Sequence, residues 1–67
     1  MTVAKVVEIN ASSKNGIEDA VQHGLRKIGK TVKNIKGAWV NEIKVLTNDK
    51  GEVTEWRVNM RVNFVVD

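Results

Sequence analysis

The chain has 67 residues, no cysteine and a single histidine, His23. That composition excludes a disulfide framework and offers nothing from which to build a thiolate or multi-histidine zinc site. Eleven Lys and Arg against eight Asp and Glu leave a formal net charge of +3, a mild excess of the size that keeps a small domain soluble.

Chains of this length bury only ~60% of their extended surface, so oligomerisation is the expected source of stability where no covalent staple exists. No apolar run approaches the ~20 residues of a membrane span. The first residues lead straight into a strand pattern instead of a signal peptide, and the lack of cysteine fits a reducing compartment. The expectation is one domain over residues 1–67, cytoplasmic and with no membrane partner.

Residues 3–10 are rich in β-branched side chains and read as a first strand. Ser12 and Ser13 then offer helix N-caps, because a hydroxyl accepts from an orphan amide two or three residues on. From Lys14 the period changes. Ile17, Ala20, Val21, Gly24, Leu25, Ile28 and Val32 recur at spacings of three and four, which predicts an amphipathic helix over about residues 14–33. Gly24 lies on the apolar stripe, where its cost of about 1 kcal/mol relative to Ala predicts close approach of the helix to a sheet. Arg26, Lys27, Lys30, Lys33 and Lys36 gather at the helix end, where cations suit the macrodipole. A nucleic-acid footprint needs charge collected on one face, so no nucleic-acid partner is expected.

Residues 34–37 read as a connector with a turn glycine, and residues 38–47 as a second strand. The alternation slips near Glu42 and Ile43: Ala38 and Val40 share one parity, Ile43 and Val45 the other. Either a β-bulge resets the register or both faces of the strand are partly buried in an assembly. Asn48-Asp49-Lys50-Gly51 is a hairpin signal, with Asx residues opening the turn and a glycine able to take positive φ.

The last stretch, VTEWRVNMRVNFVV, organises the rest. Trp56, Val58, Met60, Val62, Phe64 and Val66 alternate with Glu55, Arg57, Asn59, Arg61 and Asn63, the mark of a half-buried strand. At ~3.3 Å per residue it would run ~45 Å. A compact chain of this length has a radius of gyration of only ~11 Å. The strand overhangs such a globule, and its ends are expected to rest on another subunit. The predicted fold class is α+β in β-α-β-β order: a three-stranded antiparallel sheet packed against one amphipathic helix, with the first strand beside the third.

Three short motifs, in this order and spacing, resemble the dodecins. They are Ser12-Ser13-x-x-Gly16 at the helix start, Thr31-Val32-Lys33-Asn34-Ile35 at its exit, and Glu55-Trp56-Arg57-Val58-x-Met60-x-Val62-x-Phe64 in the last strand. The resemblance runs from about Val3 to Phe64. It implies a hollow homododecamer built from trimers, with helices outside and sheets towards the interior. It also implies non-catalytic storage of flavins, riboflavin or FMN, held between subunits. In flavin-binding dodecins a tryptophan at the start of the second strand stacks on the ring, and a glutamine in the third contacts its edge. The matching positions here are Gly37 and Arg57. At both, the chain resembles a dodecin-like branch associated with calcium. A structural shell that binds no flavin, with a metal ion on a symmetry axis, is therefore the alternative.

The candidate ligand-binding residues are Trp39, Arg57, Gly37, Glu42 and Lys44. Trp39 lies two residues after Gly37 and on its face, displaced by ~7 Å along a strand, so it is either a stacking platform or interface core. Arg57 has a planar fork that suits a ligand phosphate or carboxylate; its other reading is a cross-strand ion pair with Glu42. Glu42 and Lys44 occupy positions that the resemblance puts near the pocket. Trp56 reads as core on the apolar face, and Arg61 with Asn59 and Asn63 as a polar stripe on the other.

No enzymatic constellation emerges. There is no cysteine nucleophile, no supported Ser-His-acid set and no Gly-rich phosphate loop, so the chain is read as not an enzyme. Asp49 and Glu52 flank the hairpin turn, but calcium needs about six to eight oxygens in a defined loop, which one subunit does not encode.

Overall fold

A computed structural model describes residues 3–66 of the chain. Its elements are β1 (Val3–Ser13), α1 (Ile17–Ile28), β2 (Ile35–Thr47) and β3 (Val53–Val66). The fold is α+β in β-α-β-β order, and β3 is the middle strand of an antiparallel sheet ordered β1-β3-β2. No helix among the described residues is long and apolar enough to cross a membrane.

The last strand becomes the central one because its two alternating sets suit two environments. Val58, Met60 and Val62 are buried beneath α1, together with Ala20 of the helix. Each of the three strand side chains contributes about 1.5–3 kcal/mol by leaving water. Ile17, Val21, Leu25 and Ile28 close the stripe around them, and Val7, Ile9 and Ala11 add the β1 side. A Cβ on Gly24 would stand 2.8 Å from the Ala11 Cβ and 3.0 Å from the Met60 Cε, so the predicted close approach of helix to sheet is present.

The helix is shorter than its periodicity predicts. Pairing of β1 with β3 continues to Ser13 opposite Trp56, which holds both serines in the sheet and too early to cap α1. Gly16 stands at the N-cap instead, with φ of 131° and no side-chain cap. The Ser13 hydroxyl accepts from the Asn15 N–H at 2.9 Å and donates to the Asp19 carboxylate, bracing the approach to the helix. At the other end, Gly29 and the β-branched Thr31 and Val32 are poor helix formers. The amides of Thr31 and Val32 both turn onto the Ile28 carbonyl, at 3.1 and 2.9 Å.

β2 begins at Ile35, so Gly37 lies in the strand and not in a connector. The turn is made by Asn34, at φ 62°, whose carbonyl accepts from the Val65 N–H at 3.1 Å. The slip in β2 is a bulge. Val40 pairs with Met60 and Glu42 with Asn59, leaving Asn41 as the extra residue. Ala38 and Val40 before it, and Ile43 and Val45 after it, thereby share the helix side of the sheet.

α1 covers β1 and β3. The helix side of β2 stays open, with Val40, Ile43 and Val45 exposed at 43%, 55% and 40%. Trp56, predicted as core, is half-buried, because it pairs with Val45 and Ser13 at this less covered end. The molecule measures 54 × 19 × 13 Å with a radius of gyration of 13.9 Å, well above the ~11 Å of a compact chain. The strand overhang expected from the sequence is real.

Candidate ligand face of the sheet

The face of the sheet turned away from α1 is polar, and it is built in rungs that cross all three strands. Glu8, Arg61 and Trp39 form one rung, and Asn10, Asn59 and Glu42 the next. Ser12, Arg57 and Lys44 form a third. Gly37, opposite Asn63, lies beyond Trp39 on the same face. All five candidate residues therefore share one face, and the bulge is the reason. Gly37 and Trp39 precede Asn41, whereas Glu42 and Lys44 follow it with the opposite parity in sequence.

The middle rung is tied together by amides. Asn59 Nδ2 donates to Glu8 Oε2 at 2.9 Å and to Asn10 Oδ1 at 3.0 Å, while Asn59 Oδ1 accepts from Asn41 Nδ2 at 3.1 Å. Both donors and one acceptor of a single amide are thus engaged across three strands. On either side of that tie stand the cations. An open hollow of about 530 Å³ borders it, lined by Asn10, Ser12, Glu42, Lys44, Arg57 and Asn59 among others. Its volume lies within the usual range for small-molecule sites, although its walls are more polar than most.

The ion pair expected between Arg57 and Glu42 does not form. A further irregularity between Leu46 and Thr47 shifts the hairpin register, so that Lys44 faces Arg57 and Glu42 faces Asn59. Arg57 Nε instead donates to Glu55 Oε2 on its own strand at 2.8 Å, with side chains 52% and 26% exposed. A pair this open to solvent contributes about 0.2–1 kcal/mol.

Trp39 is 54% exposed, so within the protomer it is not core. The Arg61 guanidinium carbon lies 5.6 Å from its ring centroid, a cation–π contact worth about 0.5–1 kcal/mol at an exposed site. Period two in β3 already puts Arg57, Asn59 and Arg61 on one face. That Arg61 meets Trp39 depends on the bulge register, which residue types alone do not encode. Gly37 has no positive φ, and a Cβ there would meet only Asn63 Oδ1, at 3.4 Å. Its backbone does not require a glycine. For a planar anionic ligand the fit is partial: an exposed indole and three cations are present, but the indole already carries a guanidinium.

No curated protein matches the chain. A family model described as Dodecin matches residues 3–67. Among solved structures, the dodecin from Streptomyces davaonensis is similar at 29% identity and a TM-score of 0.90, over 98% of this chain and 96% of its own. A variant of Thermus thermophilus dodecin is similar at 31% identity and a TM-score of 0.91, over 100% of this chain and 98% of its own. The dodecin from Streptomyces coelicolor, 21% identical over 98% of this chain and 93% of its own, shares the fold at a TM-score of 0.90. With a family match from residue 3 to residue 67 and this β-α-β-β backbone repeated nearly end to end in solved dodecins, the chain belongs to the dodecin family.

Proposed function

We propose that this protein binds a flavin-type ligand, riboflavin or FMN, without catalysis, and sequesters it in a homododecamer assembled from trimers. The observation that carries this reading is the exposed Trp39 ring, on the sheet face that also bears Glu42, Lys44 and Arg57. An indole open to solvent is a stacking platform, and the facing cations suit a phosphate. When bound, the flavin supplies the chromophore and redox centre; the chain's own residues stack on it, pair with its charge and shield it. Assembly is supported by the 54 Å length of the protomer and by the uncovered Val40, Ile43 and Val45.

Gly37 favours a second reading. With neither a backbone requirement for glycine nor a stacking ring at that position, a structural shell that holds no flavin, with a metal ion shared by several copies, also fits the chain. Native mass spectrometry with and without riboflavin or FMN separates the two. A twelve-subunit mass that gains flavin supports storage, and one that ignores flavin supports the shell. A monomer or dimer overturns both.

A further inference from the structure

We infer that Arg61 is the specificity-determining residue of this face and selects planar aromatic ligands that carry negative charge. The inference rests on the flavin-type reading above and narrows it. Arg61 and Trp39 are direct cross-strand partners, and the guanidinium sits 5.6 Å from the indole centroid. A planar ligand that stacks on that side of the indole must therefore displace Arg61 or lie over it.

The surroundings decide what such a ligand has to offer in return. On β1 the residue facing Arg61 is Glu8, the natural ion-pair partner. Glu8 Oε2, however, accepts from Asn59 Nδ2 at 2.9 Å. Among the described residues no carboxylate lies in salt-bridge range of Arg61 and no acceptor takes its N–H groups. The guanidinium thus has five donors and one partner, an aromatic face. A neutral ring that takes that face returns no opposite charge to the cation. A ring with a phosphate or carboxylate returns a bidentate, charge-assisted pair to the group it displaces.

Arg57 lies four residues along β3, ~13 Å away, with Lys44 opposite it. The two cationic rungs flank the amide tie of Asn59, so a ring at Trp39 has a second positive group beyond it along the sheet. Selection by charge is therefore built into the face at Arg61 and continued at Lys44 and Arg57.

The test is titration of the assembled protein with riboflavin and with FMN at low salt, read by quenching of flavin emission. Wild type is expected to bind FMN about tenfold more tightly than riboflavin, the size of one charge-assisted pair. Arg61→Gln should collapse that ratio towards one, weakening FMN and leaving riboflavin equal or tighter because the indole is uncovered. Arg61→Lys should recover part of it, and added salt should shrink it in wild type. Assembly mass and circular dichroism of the variants serve as the folding control. If both flavins bind and Arg61→Gln leaves their ratio unchanged, the inference is wrong while the flavin reading stands. If neither flavin binds wild type, the flavin reading fails and the inference falls with it.

Discussion

Lys44 on β2 and Arg57 on β3 are direct cross-strand partners, two cations on one rung. Like charges directly opposite one another destabilise a sheet, by roughly 0.2–1 kcal/mol. Arg57 is partly neutralised by Glu55 on its own strand, and Lys44 makes no ion pair among the described residues. Lys44→Glu is therefore expected to raise the melting temperature and to weaken FMN binding at the same time. A thermal scan beside a flavin titration checks both signs; a rise in both stability and affinity would rule out a role for Lys44 in holding an anion.

Trp39→Ala removes a ring that is 54% exposed and supports no buried neighbour, so the protomer should lose less than about 1 kcal/mol. Flavin affinity should fall at least tenfold if the indole is the platform. Titration by flavin emission reads the second effect, and a denaturant midpoint the first.

Gly37→Trp is the complementary experiment. A side chain can start from this position, since a Cβ would touch only the end of the Asn63 side chain, at 3.4 Å. The variant should fold and bind flavin more tightly than wild type. A folded Gly37→Trp protein with unchanged affinity would mean that a ring at this position does not stack on flavin in this chain.

Ile43→Lys places a charge in the middle of the apolar strip beside α1. Ile43 is 55% exposed in the protomer, so an isolated chain would tolerate lysine there at little cost. An assembly that covers the strip would not. Native mass spectrometry is expected to show loss of the twelve-subunit species, with the circular dichroism signature of each element retained where the protein stays soluble.

Gly24→Ala sets helix propensity against space. Alanine gains about 1 kcal/mol in the helix. The new methyl meets Ala11 Cβ at 2.8 Å, a rigid neighbour, and overpacking of this kind costs about 1–3 kcal/mol. Net destabilisation is expected, read as a lower denaturant midpoint.

The topology was legible because β3 announces itself. Strict alternation from Trp56 to Phe64 marks both faces, and the length of the strand demands either a bend or an overhang. The polarity of the candidate face was legible for the same reason. What escaped was set by register. The bulge at Asn41 and the irregularity at Leu46–Thr47 decide that Arg57 meets Lys44 and that Trp39 meets Arg61. Neither pairing follows from residue type, because a shift of one position exchanges every neighbour. The serines failed as caps for a related reason: β1 pairs with β3 as far as Ser13, and that tertiary pairing outweighs a local capping preference.

The extra residue at Asn41 has a consequence for how this chain is compared with its relatives. Immediately upstream of it, Gly37 and Trp39 face the polar side; immediately downstream, Glu42 and Lys44 do. An alignment that opens a one-residue gap anywhere between Trp39 and Lys44 therefore does more than misplace one column. It assigns polar-face identities to residues on the helix side of the sheet, and the reverse, for part of the strand. Substitution patterns along β2 become interpretable only when columns are matched by the side of the sheet they occupy, with Asn41 as the point where the count changes.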